Sequence, residues 1–95
     1  MAVVVRVLVA PADQVVHDGI QDEVNAAIGA AGGPPDGLMA HVSSPSGGGF
    51  EIVEVWRTED TWSAYWEAVL APAIASVGLS PDPPQVTPAW GFARP

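Results

Sequence analysis

Apolar residues dominate the start of the chain: Val3-Val-Val-Arg-Val-Leu-Val9 is β-branched almost throughout, with Arg6 in its middle. Branching at Cβ suits a pleated strand better than a helix. Near-continuous hydrophobicity predicts a strand covered on both faces and ended by Pro11. The period then changes. Val16, Ile20, Val24, Ala27 and Ile28 recur at helical spacing, with Asp18, Gln21, Asp22 and Asn25 opposite, predicting a helix from Ala12 or Asp13 to about Ala31. Gly32-Gly-Pro-Pro-Asp-Gly37 stops that helix and turns the chain.

Leu38 to Ser43 reads as a second strand, Ser44 to Gly49 as a flexible hairpin loop, and Phe50 to Arg57 as a third strand. Thr58 has the character of an N-cap, with Glu59 and Asp60 in the first turn where the helix dipole favours acids. The helix that follows carries Trp62, Tyr65, Trp66, Val69 and Leu70, and Pro72 must kink or restart it. Gly78 closes the helical region, and Pro81-Asp-Pro-Pro84 is a stiff spacer. Gln85 to about Phe92, including Trp90, reads as a last strand, and Pro88 confines it to a sheet edge or a bulge.

The order β-α-β-β-α-β predicts a single α+β domain over residues 1–95 with a ferredoxin-like fold. Its four-stranded antiparallel sheet has the order 4-1-3-2, with two helices on one face. Val3, Val5, Val7, Val9, Val53 and Val55 are expected on one side of the sheet, and Val4, Leu8, Ile52 and Trp56 on the other. Neither side reads as solvated. The face without helices calls for a partner, and a second copy of the same sheet is the simplest one.

Charge narrows the function classes. Three Arg and no Lys stand against eleven Asp plus Glu, a formal net charge of −8. Polyanion binding needs clustered cations, so nucleic acid and an anionic membrane surface are poor partners. The 48% hydrophobic content excludes disorder. No run approaches the roughly 18 apolar residues of a membrane span, and the opening strand lacks the basic flank of a signal peptide. The absence of Cys removes disulfides and thiolate metal sites and points to the cytoplasm. No G-x-S-x-G, H-E-x-x-H or P-loop pattern occurs, and Gly47 to Gly49 do not lead a strand into a helix.

Gly33-Pro-Pro-Asp-Gly-Leu-Met-Ala-His-Val42, a Gly-rich loop, then Phe50-Glu-Ile-Val-Glu-Val-Trp56 and an acidic helix start resemble small bacterial dimeric α+β-barrel proteins. Within them the pattern is most similar to the antibiotic-biosynthesis-monooxygenase-like group. Element order matches over the whole chain, and the detail matches from Gly33 to about Leu79. The resemblance implies a homodimer and a fold that hosts cofactor-free monooxygenases, haem-degrading enzymes and cyclases. Haem degraders of this kind use an axial His on or near the second helix, and this chain has no His beyond His41.

The candidate chemistry centres on His41, expected on the strand face of Met39 and Ser43, with Arg6 and Glu54 completing a polar row across three strands. Strand parity favours an Arg6–Glu54 pair above all. In the enzymatic reading His41 is the general base, Glu54 its orienter and Arg6 the stabiliser of anionic oxygen. Trp56, Trp62, Tyr65, Trp66 and Met39 would line the pocket of a flat aromatic, polyketide-like substrate. No cofactor or metal is implied. The leading activity is a cofactor-independent monooxygenase, with an aldol-type cyclase or isomerase and a non-enzymatic ligand-binding or structural dimer as alternatives. In that last reading the polar row locks an interface and the tryptophans are core. His17, one residue off the apolar stripe of the first helix, is expected at a rim.

Overall fold

The computed structural model describes residues 1–92 of the chain, and the end of the expected 1–95 domain lies outside the described residues. Strand β1 (Val3–Val9) leads to helix α1 (Gln14–Ala30), and the hairpin strands β2 (Leu38–Ser46) and β3 (Gly49–Trp56) follow. Helix α2 (Glu59–Tyr65) runs through a π-helical turn at Trp66–Leu70 into α3 (Ala71–Ser76), and β4 (Gln85–Pro88) closes the sheet. The sheet is antiparallel with order β2-β3-β1-β4, the split βαβ arrangement expected of the pattern.

Local chemistry sets each boundary. Asp13 caps α1 by accepting from the backbone N–H of Val16, and Thr58 caps α2 by accepting from that of Thr61. Pro72 has no N–H to give and its ring would strike the preceding turn. The helix answers by widening, so the Ala71 N–H bonds to the carbonyl of Trp66, five residues back. The helical region is therefore restarted at Ala71.

Two boundaries differ from expectation. β2 runs on to Ser46, leaving only Gly47 and Gly48 in the turn at φ 39° and 82°, a two-residue hairpin that demands glycine. β4 ends at Pro88 rather than near Phe92. Its place at the sheet edge is what Pro88 requires, and Trp90 beyond it is 97% exposed.

Register decides the faces. Val3, Val5, Val7 and Val9 stand opposite Trp56, Glu54, Ile52 and Phe50. These eight are buried under the helices, with Ile20 and Val24 of α1, Trp62 and Tyr65 of α2, and Leu70, Ala73 and Ile74. The expected grouping is thus corrected: Val53 and Val55 join Val4 and Leu8 on the outer face, and Ile52 and Trp56 lie inside. The outer face is only partly covered by its own chain. Val4, Val53 and Val55 are half-buried, while Leu8 and Val42 are exposed. Seven acids, Asp13, Asp18, Asp22, Glu23, Asp36, Glu59 and Asp60, all face solvent.

The hairpin packs tightly on the end of β1. A Cβ placed on Gly49 would lie 1.9 Å from the carbonyl oxygen of Val9, whereas one on Gly29 in α1 meets nothing within 4 Å. Gly49→Ala is therefore expected to cost about 3 kcal/mol or more. Gly29→Ala should be neutral or stabilising by up to about 1 kcal/mol. Urea unfolding of the two variants checks the contrast.

Candidate functional site

β3 carries an anomaly at its centre. Glu54 sits among Ile52, Trp56 and Val5 with only 2% of its surface exposed, the one buried charged residue among those described. A buried carboxylate is tolerated only when its oxygens are bonded. Here both are. Oε1 accepts from the indole Nε1 of Trp56 at 3.0 Å, and Oε2 meets Nδ1 of His41 at 2.6 Å.

The geometry of β2 delivers His41 to this point. A bulge between Leu38 and Ala40 inserts Met39 as an extra residue. Leu38 consequently faces Trp56, and three positions later His41 faces Glu54, so both lie on the helix side. Simple alternation would put Leu38 and His41 on opposite faces, and the bulge removes that alternation. His41 lies near the sheet edge and keeps a third of its side chain exposed. A carboxylate only accepts hydrogen bonds, so the bond to Glu54 places a proton on Nδ1 and leaves the Nε2 lone pair as an acceptor.

Arg6 does not join this pair. It stands opposite Val53 on the outer face and reaches Glu51 at 3.5 Å, with half of its side chain exposed. The expected Arg6–Glu54 partnership is therefore replaced by two separate ones: Arg6 with Glu51 outside, His41 with Glu54 inside. The cause is parity, since the β1–β3 register puts even-numbered residues of β1 with odd-numbered residues of β3.

The aromatic residues form one connected cluster behind the pair. Trp56 is fully buried and its ring lies 5.0 Å from Tyr65 and 6.0 Å from Trp62, which in turn lies 5.6 Å from Trp66. Trp62 and Tyr65 are buried, whereas Trp66 and Met39 are half-buried. Trp56, Trp62 and Tyr65 are thus core in this chain, and Trp66 and Met39 keep surface that a ligand can touch. Burial, with the negative charge of Glu54 as the smaller cause, pushes the Tyr65 hydroxyl well above its ordinary value.

A cavity lies away from this pair. It encloses about 630 Å³ between the start of α1 and the hairpin, and His17, Ser43, Phe50 and Gly47 to Gly49 are among its lining residues. None of the catalytic or pocket residues anticipated from the sequence lines it. His17, expected at a rim, bridges the helix to the sheet instead, with Nε2 2.9 Å from the Ser43 hydroxyl. Among the described residues no helix is long and apolar enough to cross a membrane.

The fold, though not the sequence, recurs among known proteins. No family model matches the chain, and no curated protein matches it in sequence. Solved structures do match. A cofactor-independent oxygenase from Streptomyces nogalater, SnoaB, superimposes with a TM-score of 0.60 at 14% identity, over 96% of this chain and 93% of that one. This chain has the fold of the antibiotic-biosynthesis-monooxygenase-like proteins. Rv0793 from Mycobacterium tuberculosis shares that fold at TM-score 0.59 and 19% identity, over 99% and 98% of the two chains. So does a protein from Chloroflexus aurantiacus provisionally assigned to the antibiotic biosynthesis monooxygenases, at TM-score 0.58 and 18% identity over 97% and 95%. The monooxygenase-like fold thus spans nearly the whole chain.

Two outcomes follow from this geometry. Glu54→Ala strands the Trp56 indole N–H in the core and opens a cavity, and should cost about 3 kcal/mol in urea unfolding. Arg6→Ala breaks only a surface ion pair and should change stability by no more than about 0.5 kcal/mol. The second concerns alkaline pH. Tyr65 is the chain's one tyrosine, so tyrosinate absorbance reports it alone. Above pH 10 the unfolded chain releases a proton that folded Tyr65 retains, so stability falls as pH rises past that point. Tyrosinate absorbance should appear together with unfolding, and Tyr65→Phe should flatten the alkaline loss of stability.

Proposed function

We propose that the chain is a small homodimeric, cofactor-independent monooxygenase-like enzyme acting on a flat aromatic, polyketide-type substrate, with His41 as its general base. The observation that carries this reading is the 2.6 Å contact between His41 and buried Glu54. A fixed Nδ1–H tautomer leaves Nε2 free to take an acidic C–H or phenolic proton from a substrate at the exposed edge of the imidazole. Glu54 is then placed to stabilise the imidazolium that forms. The ionised aromatic ring itself supplies electrons to O₂, so one oxygen atom enters the substrate and the other leaves as water. In this reading Trp66 and Met39, which are half-buried and keep some surface open, hold the flat ring. Likeness of fold to the oxygenase SnoaB supports the reaction class.

Arg6 has a different place in this proposal from the one first expected. On the outer face, with Glu51, it belongs to the surface where a second copy of the sheet would pack over Val4, Val42, Val53 and Val55. That packing covers the apolar side of the sheet that the chain's own helices leave open.

Turnover of an anthrone or hydroquinone, followed by oxygen consumption, should fall by at least about 100-fold in His41→Ala, with folding retained. Equal turnover in the variant removes His41 from the mechanism, and turnover that persists without oxygen replaces oxygenation by an aldol-type cyclisation. Sedimentation equilibrium should return twice the 9.8 kDa chain mass, and Val53→Glu should return the monomer. A monomeric wild type would contradict the dimer.

A further inference from the structure

The cavity between α1 and the hairpin holds a second polar constellation, separate from His41 and Glu54. His17 lies between two oxygens, with Nε2 2.9 Å from Oγ of Ser43 and Nδ1 3.0 Å from Oδ1 of Asp18. The Asp18 carboxylate can only accept, so the bond to it puts the proton of the neutral imidazole on Nδ1. Nε2 is then the acceptor, and the Ser43 hydroxyl donates to it. Phe50 fixes the ring from a third direction, packed edge-to-face at a centroid distance of 4.9 Å and an interplanar angle of 86°. This is the order of groups, hydroxyl to imidazole to carboxylate, that activates a serine for attack on a carbonyl.

Access and surroundings agree with that chemistry. His17 and Ser43 both line the cavity of about 630 Å³, and the His17 side chain is 24% exposed. Gly47, Gly48 and Gly49 line it without contributing side chains. Gln14 also lines the cavity, and its backbone N–H, at the first position of α1, has no acceptor within the helix. Among the described residues no Arg lines the site and Asp13 does, which disfavours anionic substrates.

We infer that Ser43, His17 and Asp18 form an acyl-transfer site for small uncharged esters, with Ser43 as nucleophile, His17 as general base and Asp18 as positioning residue. Oγ of Ser43 bonds to the ester carbonyl carbon as its proton passes to Nε2 of His17. The tetrahedral adduct collapses, the bond from the carbonyl carbon to the alcohol oxygen breaks, and the departing alkoxide takes the proton from Nε2. Water then attacks the acyl-serine by the same proton route, releasing a carboxylic acid and restoring the hydroxyl. No electrons are exchanged at any step.

The test uses p-nitrophenyl acetate with the 95-residue chain, recording the nitrophenolate burst and mapping the acetylated peptide by mass spectrometry. Acetyl should be found on Ser43, and the burst should vanish in Ser43→Ala and fall at least about 100-fold in His17→Ala. Asp18→Asn should slow the burst at least about 10-fold while the half-saturating ester concentration stays unchanged. A tether that merely joins helix to strand would leave that rate alone. Acetyl found only on another residue, or an undiminished burst in His17→Ala, overturns the assignment. The peptide map of the wild type decides the matter even if a variant fails to fold.

Discussion

The pairing of β1 with β3 is the constraint on which the rest of the molecule depends. It sets Val3, Val5, Val7 and Val9 against Trp56, Glu54, Ile52 and Phe50. A slip of one residue would exchange the two faces of β3, exposing Trp56 and burying Val53 and Val55 in its place. The same register carries Glu54 into the core and holds Arg6 out of it. Everything chemically distinctive on the helix side follows, because a carboxylate sent inside must find two hydrogen-bond donors there. Trp56 and His41 are those donors.

The bulge at Met39 does for β2 what the register does for β1. It turns His41 to the face of Glu54 while keeping Leu38 on Trp56, so the strand serves the core and the polar pair at once. The hairpin beyond it closes on two glycines and brings Ser43 beneath the first turns of α1, where His17 meets it. Both histidines of the chain thus end in contact with a carboxylate, one buried and one exposed, and both meet β2, His41 as a residue of it and His17 through Ser43.

Element order, the split βαβ topology, the caps at Asp13 and Thr58 and the interruption at Pro72 were legible because each rests on local chemistry: period, cap type or a missing N–H. Facing was not. In β1 and β3 apolar residues occupy both phases of the alternation, so Ile52, Val53, Val55 and Trp56 give no parity signal. An acid and a base in neighbouring strands, Glu54 and Arg6, looked like partners for want of that signal. The bulge leaves no mark in composition, since Met39 is an ordinary strand residue. His17 and Ser43 lie 26 positions apart, on a helix and a strand, and a contact at that separation leaves no local signal. The acids, by contrast, could be placed well: seven of them sit on helix surfaces and loops and keep an apolar domain in water, leaving Glu54 as the informative charge.

The central claim is that a buried carboxylate fixes the tautomer of His41 and so leaves one imidazole nitrogen free for proton transfer. Nitrogen-15 NMR of the neutral imidazole measures this directly. The account predicts a protonated Nδ1 whose hydrogen is strongly deshielded by its short bond to Glu54, with that resonance lost in Glu54→Gln. A proton resident on Nε2, or a spectrum unchanged by Glu54→Gln, would contradict it.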